Sequence, residues 1–199
     1  MTRARPRPGD PPEESIQACR RGDRAALEAV LRAQLPALER LLARLVGPGA
    51  DLEDLLQQTL IAAVAAFPTY RGEASIRTWL ARIAVNAVRQ HLRQPAVRRR
   101  APLSVVDCDR AGPEPAPDRT SDRRRQLARV FHHLAAIGAD KRIAFALVVI
   151  DGRGIEETAA LMGASVSATK SRVYWARREL VRRARRDPLL RDLVEEEPA

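Results

Sequence analysis

Eight side chains near the C-terminus are of the types that can read duplex DNA: Ser165, Ser167, Lys170, Ser171, Arg172, Tyr174, Trp175 and Arg178. Arginine bridges guanine O6 and N7 in the major groove, while serine and lysine reach bases or phosphates. At helical spacing Ser167, Ser171, Trp175, Arg178 and Arg182 fall on one side of a helix. Val166, Thr169, Val173, Ala176 and Leu180 fall on the other, and Lys170, Arg172 and Tyr174 lie at the margins. A charge run of this kind is usually just a solvated helix face. Here its context favours a nucleic-acid partner. Covalent chemistry has no comparable support. His91, His132 and His133 are too scattered for a metal site, and Cys19 and Cys108 add no ligand pair to them. The two adjacent histidines are expected on a helix surface or interface, and the cysteines are expected to be buried or incidental. There is no glycine-rich phosphate loop and no Ser/His/Asp constellation, so no enzyme activity, metal or cofactor is expected.

The elements that must position the basic side chains are helices. Asp140 can cap a helix running through Ile150, and Asp151-Gly152-Arg153-Gly154 is a turn cluster. Ile155–Met162 then forms a short helix centred on Ala159, and Gly163-Ala164-Ser165 turns into the basic helix. Two helices joined by a short glycine-containing turn form a helix-turn-helix, whose second helix enters the major groove. The small Ala159, four positions before Gly163, lets the two helices cross closely.

The N-terminal half is helical as well. Ala25–Val46 is a long Leu/Ala/Arg stretch without β-branched alternation, and Gly47-Pro48-Gly49 breaks it. Asp51 stands as an N-cap for the next helix, with Asp54 in the capping-box position. In that helix Leu52, Leu56, Leu60, Ala63 and Phe67 form one stripe. Asp51, Asp54 and Gln58 lie opposite, with Gln57 flanking. Pro68 limits this helix, Tyr70-Arg71-Gly72-Glu73 reads as a loop, and a third helix runs from Ser75 to Arg93. Its expected buried set is Ile76, Leu80, Ile83 and Val88.

Composition bounds what this architecture can be. The chain has 199 residues, 45% hydrophobic and 30% charged, with a net charge of +10. That is the profile of a soluble globular protein with a polyanionic partner. The longest apolar runs, Leu60–Phe67 and Ile143–Ile150, are far below the ~20 residues needed to span a bilayer. The Arg/Pro-rich start lacks the apolar stretch of a secretory signal. No membrane insertion is expected, and the sparse cysteines suit a reducing, cytoplasmic location.

The charge is concentrated. Residues 15–94 carry eleven arginines against seven acids, and residues 123–199 sixteen basic against ten acidic residues. Residues 1–14 and 95–122 are neutral and hold nine of the fourteen prolines, so they are read as a disordered tail and a flexible linker. The expected organisation is all-α. Two small helical domains, 15–94 and 123–186, are joined by the linker, and an acidic tail occupies 187–199.

Both modules together resemble bacterial RNA polymerase sigma factors of the sigma-70 family, extracytoplasmic-function (ECF) group. The segment DLEDLLQQTLIAAVAAFPTYRGEASIRTWLARIAVNAVRQHLR (Asp51–Arg93) is similar to region 2 of that family. The segment DGRGIEETAALMGASVSATKSRVYWARREL (Asp151–Leu180) is similar to region 4. The likeness covers roughly residues 15–94 and 124–183. Two absences belong to the same pattern: no region 1.1 domain is expected before residue 15, and 95–122 is too short and proline-rich for a helical region 3.

The resemblance implies that region 2 is a three- or four-helix domain that docks on core RNA polymerase and melts the −10 element. The acidic Asp51, Asp54, Gln57 and Gln58 surface is wrong for DNA and suits a cationic protein. By the resemblance that partner is the clamp-helix coiled coil of the β′ subunit, and Asp51 can be a cap at the same time. Single-stranded DNA is held by stacking and by cationic grooves. Tyr70, Arg71, Arg77, Trp79, Arg82 and Arg89 supply both. By family likeness the loop and Asn86 form a pocket for a flipped −10 base, since asparagine pairs a donor with an acceptor. Trp79 reads equally as a core residue and as a wedge at the duplex edge, whereas Phe67 reads as core.

Region 4 would read the −35 duplex and contact the β flap, and an anti-sigma factor would occlude these surfaces. The chain departs from the family pattern at Ser167-Ala168-Thr169, where Gly-Thr-Val is usual, and at Trp175, where a basic residue is common. The methyl of Thr169 can still pack, but Ala168 loses a phosphate contact. The rival reading is a stand-alone helix-turn-helix regulator whose N-terminal half dimerises. It leaves the acidic helix followed by Trp79 and Asn86 without a purpose.

Overall fold

The structure, a computed structural model, describes residues 11–47, 51–94 and 119–192, with side chains of the last stretch from 123 onward. Helices account for nearly all of it, and no strand occurs among the described residues. Four helices build the N-terminal half: α1 (Glu13–Arg20), α2 (Arg24–Val46), α3 (Asp51–Ala66) and α4 (Ile76–Arg93). Local capping sets their starts. Asp23 accepts from the Ala26 amide (3.0 Å) at the head of α2, and Ser75 from the Thr78 amide (3.1 Å) at the head of α4. A single 3-10 turn, Phe67–Thr69, with Pro68 inside it, ends the α3 segment.

The C-terminal half contains α5 (Arg119–Ala135), α6 (Ala139–Phe145), α7 (Ile155–Met162) and α8 (Val166–Ala184). A π-helical turn, Ala146–Ile150, continues α6. The helix expected to run through Ile150 is therefore present, but its cap is Gly138 and not Asp140, which sits in the first turn with its carboxylate aimed at α4. Helix α5 begins inside the stretch read as linker. The rest of that stretch, with Cys108, lies outside the described residues, as do residues 1–10 and 193–199.

Two further expectations are corrected. The α3 helix begins at Asp51 itself, so this residue is the first helical position, and its carboxylate lies 3.2 Å from Nε2 of the buried His91. Its fully buried stripe is Leu55, Thr59 and Ala63, with Leu52, Leu56 and Leu60 only partly covered. The buried sector centres on Thr59 because α3 packs on both α2 and α4. The Thr59 hydroxyl donates to the Leu55 carbonyl (2.7 Å) and so enters the core satisfied. On α4 the buried set is Ile76, Leu80, Ala81, Ala84, Val85, Val88 and His91, with Ile83 half-buried.

The two halves share one apolar core. Leu38, Leu41, Leu42 and Leu45 of α2 and Ala81, Ala84, Val85 and Val88 of α4 pack with Ile143, Ala144 and Leu147, and with Leu161 and Met162 of α7. A fully buried leucine contributes roughly 1.5–3 kcal/mol. Alanines on α4 let α6 and α7 approach closely. The Arg142 side chain crosses the boundary to donate to the Val46 carbonyl (2.8 Å). Two flanking cores complete the fold. One, around Ile16, Cys19, Val30, Leu31 and Phe67, holds α1 on the N-terminal bundle; burial pushes the Cys19 thiol up. The other, around Phe131, Leu134, Ile137, Phe145 and Ala176, holds α5 on α8.

The segment after α8 is not all tail. Asp187 and Leu190 are buried. The Asp187 carboxylate accepts from Arg129 Nε (2.8 Å) and lies 2.7 Å from His133 Nε2. His133 thus faces an interface, as expected of the pair. Burial alone would raise the Asp187 carboxyl, but the hydrogen bonds from Arg129, His133 and the Leu189 amide and the Arg129 charge hold it below the usual range.

A depressed carboxyl stabilises the fold above the ordinary aspartate range near pH 4 and loses that contribution as the pH falls through its folded value. Asp187→Ala should therefore cost about 2 kcal/mol at pH 7, and denaturant melts should show the difference from wild type shrinking below pH 4. Gly47, the C-cap of α2, adopts φ +82°, and a Cβ there would lie 2.5 Å from Phe131 Cγ. Gly47→Ala should cost about 2 kcal/mol or more through strain and clash, seen as a lower Tm, and Phe131→Ala in the same chain should recover the steric part.

Candidate functional site

The helix-turn-helix is formed as its residues dictate. Gly163 takes the left-handed conformation (φ +61°, ψ +40°) that closes α7, and the Ala164 amide bonds back to the Ala159 carbonyl (2.9 Å). Ser165 caps α8 by accepting from the Ala168 amide (3.1 Å). Thr169 is fully buried, and its hydroxyl donates to the Ser165 carbonyl (2.9 Å), so threonine fills an apolar position without an orphaned polar group. The opposite face is open. Ser165, Ser167, Lys170, Ser171, Tyr174, Trp175, Arg178 and Arg182 are exposed. Arg172 is half-buried, with Nη1 enclosed and unpartnered. Val166, expected inside, is exposed because the first turn of α8 projects beyond the core.

The aromatic pair on this face is organised. Tyr174 and Trp175 are 56% and 50% exposed, with ring centroids 5.3 Å apart in an edge-on arrangement. The Arg178 guanidinium sits 5.7 Å from the Trp175 ring centroid and 3.4 Å from the Tyr174 hydroxyl. An arginine held over one ring and against the hydroxyl of another loses less side-chain entropy when it binds.

Around α4 the expected residues divide. Arg71, Arg77, Arg82 and Asn86 are exposed. Tyr70 is not: it is 8% exposed, and its hydroxyl donates to the Ala74 carbonyl (2.7 Å). Phe67, Tyr70 and Trp79 form an aromatic trio with centroids 5.2–5.7 Å apart. An amphipathic ring settles inward when its polar end finds a backbone partner. Trp79 is half-buried in the same trio, and Phe67 is core, as expected. Arg89 is also half-buried. Its Nε donates to Asp140 (2.8 Å), its Nη1 to Asn86 Oδ1 (2.9 Å) and its Nη2 to the Met162 carbonyl (3.0 Å).

On α3, Asp54, Gln57 and Gln58 are exposed, whereas Asp51 is half-buried beside His91. The same face continues into Ile61 and Val64, 62% and 50% exposed. Sequence reasoning passed over these two apolar groups because they belong to the long apolar run Leu60–Phe67. Ile61 falls four and three positions after Gln57 and Gln58, and Val64 three after Ile61, the spacing that could have found them. Acidic and amide groups flanking exposed aliphatic ones suit a protein partner with both apolar and cationic surface. The described residues hold no group of three or more His, Cys, Asp or Glu side chains able to bind a metal.

Comparison with known proteins bears on these surfaces. Residues 30–98 match the Sigma-70 region 2 family. The ECF RNA polymerase sigma-E factors of Salmonella typhimurium and Escherichia coli are 30% identical over 187 residues, which covers 88% of this chain and 94% of theirs. The RNA polymerase sigma-H factor of Pseudomonas aeruginosa is 30% identical over 189 residues, covering 90% and 96%. Among solved structures, the sigma factor RpoE in complex with the anti-sigma factor NepR from Bartonella quintana aligns at TM-score 0.52 and 26% identity, covering 77% of this chain and 93% of that one. CnrH in complex with the cytosolic domain of CnrY shares the fold at TM-score 0.58 and 24% identity, covering 87% and 97%. The family match takes in α3 and α4, the relatives align over about nine-tenths of the chain, and on that evidence the chain belongs to the ECF group of sigma-70 family RNA polymerase sigma factors.

Proposed function

We propose that the three exposed faces divide the work of promoter-specific initiation. The α3 face of Asp54, Gln57, Gln58, Ile61 and Val64 docks on core RNA polymerase, at the β′ clamp helices. The α4 side, with Arg71, Arg77, Arg82, Asn86 and Arg89, takes the non-template strand of the −10 element. The α8 face reads the −35 duplex, and the C-terminal module also meets the β flap. The chain itself carries no catalytic step, because nucleotide addition belongs to the polymerase, and it works in the cytoplasm. An anti-sigma factor regulates it by covering these faces.

The observation that carries this reading is the chemical contrast between exposed helix faces: acidic and aliphatic on α3, basic and aromatic on α8. A stand-alone helix-turn-helix regulator needs only the second. Phosphate contacts supply orientation and most of the salt-dependent affinity, and base-edge contacts supply specificity. On α8, the exposed Arg178 would take a guanine edge or a phosphate. Trp175 offers an apolar plate where a charged group would read guanine, and such a plate suits a thymine methyl.

The test is in vitro transcription with core RNA polymerase on a set of promoters. Wild-type protein should support initiation from a subset of them. Tight duplex binding without initiation on any would overturn the assignment of the α3 face. Asp54→Arg should weaken core binding by about tenfold or more, a loss on the scale of a reversed interface charge, while leaving duplex binding unchanged. Arg178→Ala should weaken duplex binding by about 1–3 kcal/mol and relax one position if it reads a base, or lower the salt slope by about one if it holds a phosphate.

A further inference from the structure

The basic edge of α4 is already occupied by the chain itself. Asp140, at the start of α6, accepts from Arg89 Nε through one oxygen (2.8 Å) and from Arg93 Nη2 through the other (2.9 Å). All three nitrogens of the Arg89 guanidinium have partners: Asp140, the Met162 carbonyl and Asn86 Oδ1. Three of its five N–H donors, one on each nitrogen, are thus committed and cannot at the same time serve a phosphate. The bond from Arg89 also engages Asn86 Oδ1, the acceptor half of the paired donor and acceptor with which an amide reads a base edge.

We infer that Asp140, with the Met162 carbonyl beside it, is an internal stand-in for a DNA phosphate that holds the single-strand-binding groups of α4 until DNA displaces it. This rests on the proposal that Arg89 and Asn86 take the −10 strand. The geometry matches the substitution. A bidentate carboxylate across two arginines presents the same charge and acceptor pattern as a backbone phosphate. The stand-in is held in place by groups that do not touch the arginines. Ile143 and Leu147, on the same helical segment as Asp140 and its continuation, are buried in the shared core, and Arg142 is anchored on the Val46 carbonyl. Burial alone would raise the Asp140 carboxyl, but the hydrogen bonds and charges of Arg89 and Arg93 hold it below the usual range, so it is ionised at neutral pH. Strand binding to α4 and docking of the α6 N-terminus on α4 therefore compete for the same donors.

The test uses the full chain, a fluorescein-labelled 12-nucleotide single-stranded DNA of random sequence, and anisotropy at low salt. Asp140→Ala should bind the oligonucleotide about tenfold more tightly than wild type, the gain expected from releasing one to two phosphate contacts. Asp140→Asn keeps the shape and should give a smaller gain. Adding Arg89→Ala to either variant should abolish the gain. If neither Asp140 variant binds more tightly although Arg89→Ala weakens wild type, the stand-in is wrong and the DNA role of Arg89 stands. If Arg89→Ala changes nothing in any background, both the stand-in and the −10 role of Arg89 fall. Thermal melts of each variant show that it is folded, and Asp140→Asn serves as the readout if the alanine variant is not.

Discussion

A buried cation fixes how the two helical modules meet. Arg142 is 7% exposed, and its guanidinium donates to the Val46 carbonyl at the C-terminal end of α2. Its Nε has no partner, and burial lowers its pKa to about 10. Taking such a group out of water is costly, and a helix C-terminus with its unpaired carbonyls is one of the few places that offsets the cost. Any sliding of α6 along α2 would leave the charge facing apolar side chains. The placement of Asp140 over α4, of Phe131 over Gly47 and of Arg44 against Asp151 all follow from that one docking register.

The apolar part of the contact sets strength more than register. Small residues on α4 and branched ones on α6 and α7 bury a broad area, but aliphatic surfaces slide against each other with little penalty. Directional bonds select among the sliding states. Among the described residues those across the boundary include Arg142 to Val46, Arg89 and Arg93 to Asp140, Arg89 to Met162, and Arg44 to Asp151. The partners of these arginines are carboxylates or carbonyls at helix ends, so the polar seal sits at the rim of the shared core.

Helix positions, the helix-turn-helix and the exposed face of α8 were readable in the sequence because each depends on residues within one or two turns. Ser75 heads its helix, Gly163 closes α7 and Thr169 packs, as local chemistry requires. The contacts that redirect side chains span 40 or more positions and left no local trace. Asp51 pairs with His91, Asp140 with Arg89, and Asp187 with His133. Each of these aspartates stands where a cap or a tail residue would be equally at home, so periodicity could not separate the roles. Tyr70 went inward through contacts closer in sequence. Its hydroxyl finds the Ala74 carbonyl four residues on, but the ring is sheltered by Phe67 and Trp79 from two other elements.

The turn between α7 and α8 is stabilised by Gly163, Ala164, Ser165 and Thr169, of which only Ser165 lies on the surface proposed to read DNA. Ser167, Lys170, Ser171, Trp175 and Arg178 contribute nothing to the core. Promoter preference can therefore drift, or be redesigned, at almost no cost in foldability. Duplicate copies of such a chain could acquire separate target sets by exchanging a handful of surface residues while the helix proposed to face the polymerase stays as it is.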